Sequence, residues 1–101
     1  DQLEMAVGNL VDNAVAHGER VSVVVDAVRG RLRVRVTDDG PGISPANLTR
    51  VFDRFFTTRR DLGGTGLGLS IARELIVAHG GEITLERTGS SGTIFCIEMP
   101  D

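Results

Sequence analysis

Gly63-Gly64-Thr65-Gly66-Leu67-Gly68-Leu69-Ser70 places four glycines within six residues, just before Leu69, Ile71, Ala72, Leu75 and Ile76 at helical spacing. A backbone stripped of side chains therefore runs straight into a helix N-terminus. The first amides of a helix lack intrahelical acceptors and sit at the positive end of its dipole, so this junction suits an anion such as a phosphate. An ordinary glycine loop ending in a helix cap is the plainer reading of the same residues. Two familiar phosphate loops are excluded. A Walker A loop needs a Lys before the Ser or Thr that opens its helix, and all 11 basic residues here are Arg. The dinucleotide fingerprint needs G-x-G-x-x-G after a buried strand, whereas Gly64, Gly66 and Gly68 give G-x-G-x-G after the polar stretch Thr57 to Leu62.

Working outward, the 101 residues carry a formal charge of -3, with 41% hydrophobic and 25% charged positions, which suits one globular domain with a single core. The slightly acidic balance argues against a nucleic-acid groove. A lone Cys96 in an apolar alternating stretch reads as a buried thiol in a reducing compartment. No apolar run approaches bilayer-spanning length, so a cytoplasmic domain without membrane contact is expected.

Upstream, Asp1 to His17 reads as an amphipathic helix through Leu3, Ala6, Val7, Leu10 and Ala14, with Gly18 placed as a C-terminal cap. Asn9 and Asn13 lie four apart on one face, although Asn is a poor helix-interior residue. They form either a neutral stretch of solvated face or two amide oxygens aimed at a metal ion or phosphate. Gly8 beside them costs about 1 kcal/mol relative to Ala. Arg20 to Ala27 reads as a strand and Arg29-Gly30 as a turn. Arg31 to Thr37 then alternates, with Leu32, Val34 and Val36 inside and three Arg on a solvated outer face. That strand ends in Asp38-Asp39-Gly40-Pro41-Gly42-Ile43, a carboxylate at a pocket edge over a tight turn.

Ser44 to Val51 carries helix-start signals and leads into Phe52-Asp53-Arg54-Phe55-Phe56. Thr57 to Thr65 lacks core anchors and is expected to form a mobile lid. A helix from Leu67 to about His79, the turn Gly80-Gly81, and two strands, Glu82 to Glu86 and Thr93 to Met99, complete the chain. The order predicts an α/β (α+β) two-layer sandwich, a mixed sheet with helices on one face.

Taken together, Asn9-Leu-Val-Asp-Asn13-Ala, Asp38-Asp-Gly40-Pro-Gly42, Phe52-Asp-Arg-Phe55 and Gly64-Thr-Gly66-Leu-Gly68-Leu resemble, in order and spacing, the N, G1, F and G2 boxes of the sensor histidine kinase catalytic domain. That domain belongs to the GHKL superfamily of gyrase B, Hsp90 and MutL, with its Bergerat ATP-binding fold. The resemblance spans nearly all of residues 1–101, without the family's usual opening strand and helix or its dimerisation domain. It implies an ATP-dependent protein histidine kinase of a two-component system, with ATP and Mg²⁺ as cofactors. Its acceptor would be a histidine on a separate dimerisation domain, and a response regulator would follow indirectly. A non-catalytic ATP-sensing or interaction module of the same fold is the alternative.

The resemblance also assigns residues. Asn13 would ligate Mg²⁺, Asn9 would position phosphate or metal-bound water, and Asp38 would accept from the adenine amine. Gly40 and Gly42 would let the backbone close on the base. Gly64, Gly66 and Gly68 would border the phosphates, with Arg54 reaching them from the F box. His17, Ile43, Thr65, Leu67 and Leu69 would line the nucleotide, while Phe52 and Phe55 would anchor the lid. The related ATPases carry a Glu general base where this chain has Asn9, and an amide takes no proton at neutral pH. Ala16 stands where the family often has Lys, which leaves phosphate charge to Mg²⁺, backbone amides and Arg54, with Arg59 or Arg60.

Overall fold

The computed structural model describes residues 2–53 and 68–100. Apolar residues at helical spacing give α1 (Gln2–His17) and α2 (Gly68–Ala78). A β-branched run gives β1 (Val21–Val28), and alternation gives β2 (Arg31–Asp38), β3 (Glu82–Gly89) and β4 (Gly92–Pro100). The strands form one sheet in the order β1-β2-β4-β3, and α1 and α2 pack on each other over one face. The two-layer sandwich is as expected. Within the described residues the pairing is antiparallel throughout rather than mixed, because β1–β2 and β3–β4 are hairpins and β2 meets β4 antiparallel.

The turns follow from their residues. Arg29 (φ 53°) and Gly30 (φ 76°) form a two-residue left-handed link whose twist matches the strands it joins. Helix α2 ends as a Schellman motif: the Gly81 N–H donates to the Ile76 carbonyl at 2.9 Å, the Gly80 N–H to that of Val77 at 3.0 Å, and Gly80 takes φ 80°. The expected helix over Ser44 to Val51 shortens to a 3₁₀ turn at Pro45–Asn47 followed by further turns. Ser44 makes no capping bond there, so one turn forms and nothing propagates it.

The core lies between the layers. Ala6, Leu10 and Ala14 of α1 and Ala72 and Ile76 of α2 meet Val34, Val36, Ile83, Phe95 and Ile97 of the sheet. Three alanines on the helices keep the side chains between helix and sheet short. Phe52 and Phe95 meet in a T-shaped contact, with ring centroids 5.9 Å apart, and the Arg73 guanidinium lies over the Phe52 ring at 5.4 Å. The F-box phenylalanine is therefore anchored to the core as anticipated, while Phe55 and the expected lid fall outside the described residues.

On the outer face the Arg stripe is half-buried and paired. Arg31 and Arg33 approach Glu98 at 3.6 and 3.4 Å, and the Arg35 Nε donates to Glu86 at 3.0 Å. Cys96 is buried as predicted, but strand parity puts it on this charged face, directly opposite Arg35. Burial pushes its thiol pKa up and keeps it protonated.

Two substitutions on α1 test this packing in opposite directions. Leu10 is fully buried, and Leu10→Ala should cost about 2–5 kcal/mol in urea unfolding. Gly8 is exposed with open space where a Cβ would sit, and Gly8→Ala should gain about 0.5–1 kcal/mol.

Candidate functional site

Alternation along β2 puts Val34 and Val36 on the helix side, and two residues further the same parity turns Asp38 inward. Asp38 is 5% exposed at the end of a row of core positions. Its Oδ1 accepts the Gly40 N–H at 2.9 Å. Its second oxygen has no partner among the described residues. Opposite it on β4 stands the buried hydroxyl of Thr93. A buried carboxylate with a vacant lone pair rewards any ligand that brings an N–H to it.

The loop after Asp38 is held by close backbone packing. A Cβ on Gly40 would run into the His17 carbonyl, and one on Gly42, which takes φ 86°, into the Gly89 carbonyl. Both glycines are thus required where the loop passes between the end of α1 and the β3–β4 hairpin. The Ile43 N–H donates to Thr88 Oγ1 at 2.8 Å, which ties the loop to that hairpin.

Asn9, Asn13 and His17 recur at four-residue intervals along one flank of α1, beside its buried stripe, and all three are half-buried. The Asn9 and Asn13 side chains have no hydrogen-bond partner among the described residues. His17 Nδ1 lies 2.8 Å from the Asn13 carbonyl oxygen, which fixes the ring one turn above that amide. Its backbone borders Gly40, and the two line an open recess of about 480 Å³ at the end of α1 together with Pro41 and Ser90. Among the described residues no three acidic, His or Cys side chains cluster to cage a metal. The donor set does fit Mg²⁺: a half-buried, unpartnered amide oxygen at Asn13 suits a hard cation that takes one or two protein oxygens and completes its shell with water and phosphate.

At the start of α2, Gly68 and Leu69 are half-buried, and Leu69 packs against the core cluster. Arg54, Gly64, Thr65, Gly66 and Leu67 lie outside the described residues. His79 places Nδ1 2.9 Å from the Leu75 carbonyl oxygen at the exposed end of α2.

Three residues of this region escape a reading of the sequence. Asp39, the outward neighbour of Asp38, accepts the Glu19 and Arg20 N–H groups on Oδ1 at 2.8 and 2.9 Å, locking the α1–β1 link to the loop. Parity alone would have pointed it outward. That lock also accounts for Gly18, whose Cβ would sit 2.8 Å from Asp39 Oδ1. The Gly18 N–H still closes the last turn of α1 on the Ala14 carbonyl at 2.9 Å, without the left-handed backbone of a glycine cap. Thr88 and Thr93 are the other two, and nothing local marks them.

A family model for histidine kinase-, DNA gyrase B-, and HSP90-like ATPases matches residues 1–101. The chain belongs to this family. Its relatives include the signal transduction histidine-protein kinase AfsQ2 of Streptomyces coelicolor, 42% identical over 98% of this chain and 19% of that protein. The sensor histidine kinase RppB of Synechocystis is 37% identical over 98% of this chain and 23% of its own length. The chain therefore spans about a fifth of these relatives. Among solved structures, full-length ShkA in complex with AMPPNP superposes with TM-score 0.86 at 34% identity, over 98% of this chain and 21% of that one. The catalytic domain of the histidine kinase ThkA does so at 0.84 and 35%, over 98% and 66%. No helix among the described residues is long and apolar enough to cross a membrane.

The amides of Glu19 and Arg20 hold the Asp39 carboxyl below its ordinary range, with the Arg20 bond the stronger cause. A lowered folded-state value stabilises the fold above the unfolded pKa of about 3.9 and is lost as pH falls through the folded value. Asp39→Ala should therefore unfold more readily than wild type at pH 7. The gap should close below about pH 4, as followed by urea midpoints across pH.

Proposed function

We propose that this chain binds Mg·ATP and presents the γ-phosphoryl group to a histidine on a separate dimerisation domain, from which it passes to a response regulator. The observation that carries the reading is Asp38. A buried acceptor-only carboxylate with one free oxygen selects a ligand donor, such as the exocyclic amine of adenine, over a carbonyl. The AMPPNP complex of ShkA supports an ATP-type ligand for this fold.

Within that reading Asn13 supplies the amide oxygen for Mg²⁺, and Asn9 on the same flank orients phosphate or water. Bound Mg²⁺ neutralises charge on the phosphates and polarises them toward attack. Asn9 accepts no proton at neutral pH, so the residues described here position a nucleotide but activate no water. Transfer then waits for an acceptor that brings its own base, which favours kinase over hydrolase.

Calorimetry with a non-hydrolysable ATP analogue, with and without Mg²⁺, tests the site. The wild type should bind with Mg²⁺ enhancement, and Asp38→Ala should weaken affinity at least tenfold, the scale of a lost bond to a charged group. Asn13→Ala should remove the Mg²⁺ dependence. The chain alone should neither autophosphorylate nor turn over ATP robustly. Binding without transfer, once the chain is joined to a histidine-bearing dimerisation domain, would mark it as a non-catalytic sensing module.

A further inference from the structure

Alternation from Ile83 and Leu85, which face the core, would put Arg87 on the inner side of β3 and Thr88 outside. The structure reverses this. A bulge between Leu85 and Arg87 inserts Glu86 as an extra residue, so that Arg87 pairs with Ile94 and Thr88 with Thr93. Glu86 keeps the outer facing that alternation from Leu85 already gives it, and there it meets Arg35. Thr88 turns to the side on which Thr93 faces Asp38.

At that position one hydroxyl serves two groups of the candidate site. Thr88 Oγ1 accepts the Ile43 N–H at 2.8 Å and shares a second hydrogen bond with Thr93 Oγ1 at 2.9 Å, in which either hydroxyl can donate. Thr93 is 4% exposed and is the cross-strand neighbour of Asp38. The hairpin also presses on the loop at two glycines: a side chain on Gly42 would strike Gly89, and one on Gly92 would strike the Asp38 carbonyl. Bulges that re-aim a side chain are common beside functional sites.

We infer that Thr88 is a positioning residue of the nucleotide site, clamping the Gly42–Ile43 loop to the β3–β4 hairpin and fixing the Thr93 hydroxyl beside Asp38. This rests on the reading of Asp38 as an ATP contact. Thr88 does not touch the ligand in this role. Without its hydroxyl the Ile43 N–H and the buried Thr93 hydroxyl both lose their partner, a cost borne by the loop that frames Asp38.

The test compares Thr88→Val, which keeps the β-branched shape and loses the hydroxyl, with Thr88→Ser, which keeps the hydroxyl. Thr88→Ala repeats the deletion with less bulk should the valine variant fold poorly. In the 101-residue chain, Thr88→Val should speed hydrogen exchange of the Ile43 amide about tenfold relative to the β2 amides. It should weaken binding of the non-hydrolysable ATP analogue by about the same factor, while Thr88→Ser stays within about twofold of wild type on both. Unchanged Ile43 exchange and affinity in Thr88→Val would overturn the role, as would equal losses in the Val and Ser variants, which would mean simple packing. A wild-type chain that binds no analogue sinks the ATP reading and this role together. A wild type that binds, with Thr88→Val binding equally, sinks this role alone.

Discussion

Strand parity along β2 is the constraint on which the rest of the molecule turns. Val34 and Val36 must face the helices to close the core, and the two-residue period then forces Asp38 inward at the strand end. A carboxylate there costs free energy unless it is bonded, and the chain compensates only in part, with the Gly40 N–H. The adjoining backbone is drawn tightly around it. Gly40 fits against the end of α1, and Gly42 and Gly92 fit where the β3–β4 hairpin meets the loop. At this edge of the core one carboxylate oxygen of Asp38 is left without a partner among the described residues.

The helix layer meets that vacancy from above. Ala6, Leu10 and Ala14 seat α1 on the sheet, which fixes its rotation and sets Asn9, Asn13 and His17 along its flank. Packing and the proposed site therefore share one helix without sharing residues. The exposed Gly8, which weakens α1 locally, contacts nothing that would explain its presence. Asp39 complements the arrangement from outside by bonding the α1–β1 link, so that the start of the loop is held by carboxylates of neighbouring residues with opposite facing.

The outer face of the sheet takes no part in this. Arg31 and Arg33 are matched by Glu98 on the adjacent β4, and Arg35 by Glu86 on β3, one strand further. Exposed pairs of this kind add little stability, but they offset the charge of the stripe and cover Cys96. Glu86 reaches this face by plain alternation, whereas the bulge beside it turns Thr88 toward Thr93.

Much of this was legible in the chain by itself. Helical spacing located α1 and α2, β-branched content located β1, alternation located the later strands, and parity carried Asp38 to the inner face, because these are local patterns that each segment imposes on itself. The four boxes in order carried the family. Tertiary structure decided the rest. The antiparallel order β1-β2-β4-β3, the shortening of the Ser44 to Val51 helix to one turn, the capture of the Glu19 and Arg20 amides by Asp39, and the pairing of Thr88 with Thr93 depend on partners distant in sequence. The Thr88 pairing depends in addition on a one-residue bulge that no periodicity announces, because inserting a residue reverses facing only once a second strand supplies the register against which it is counted.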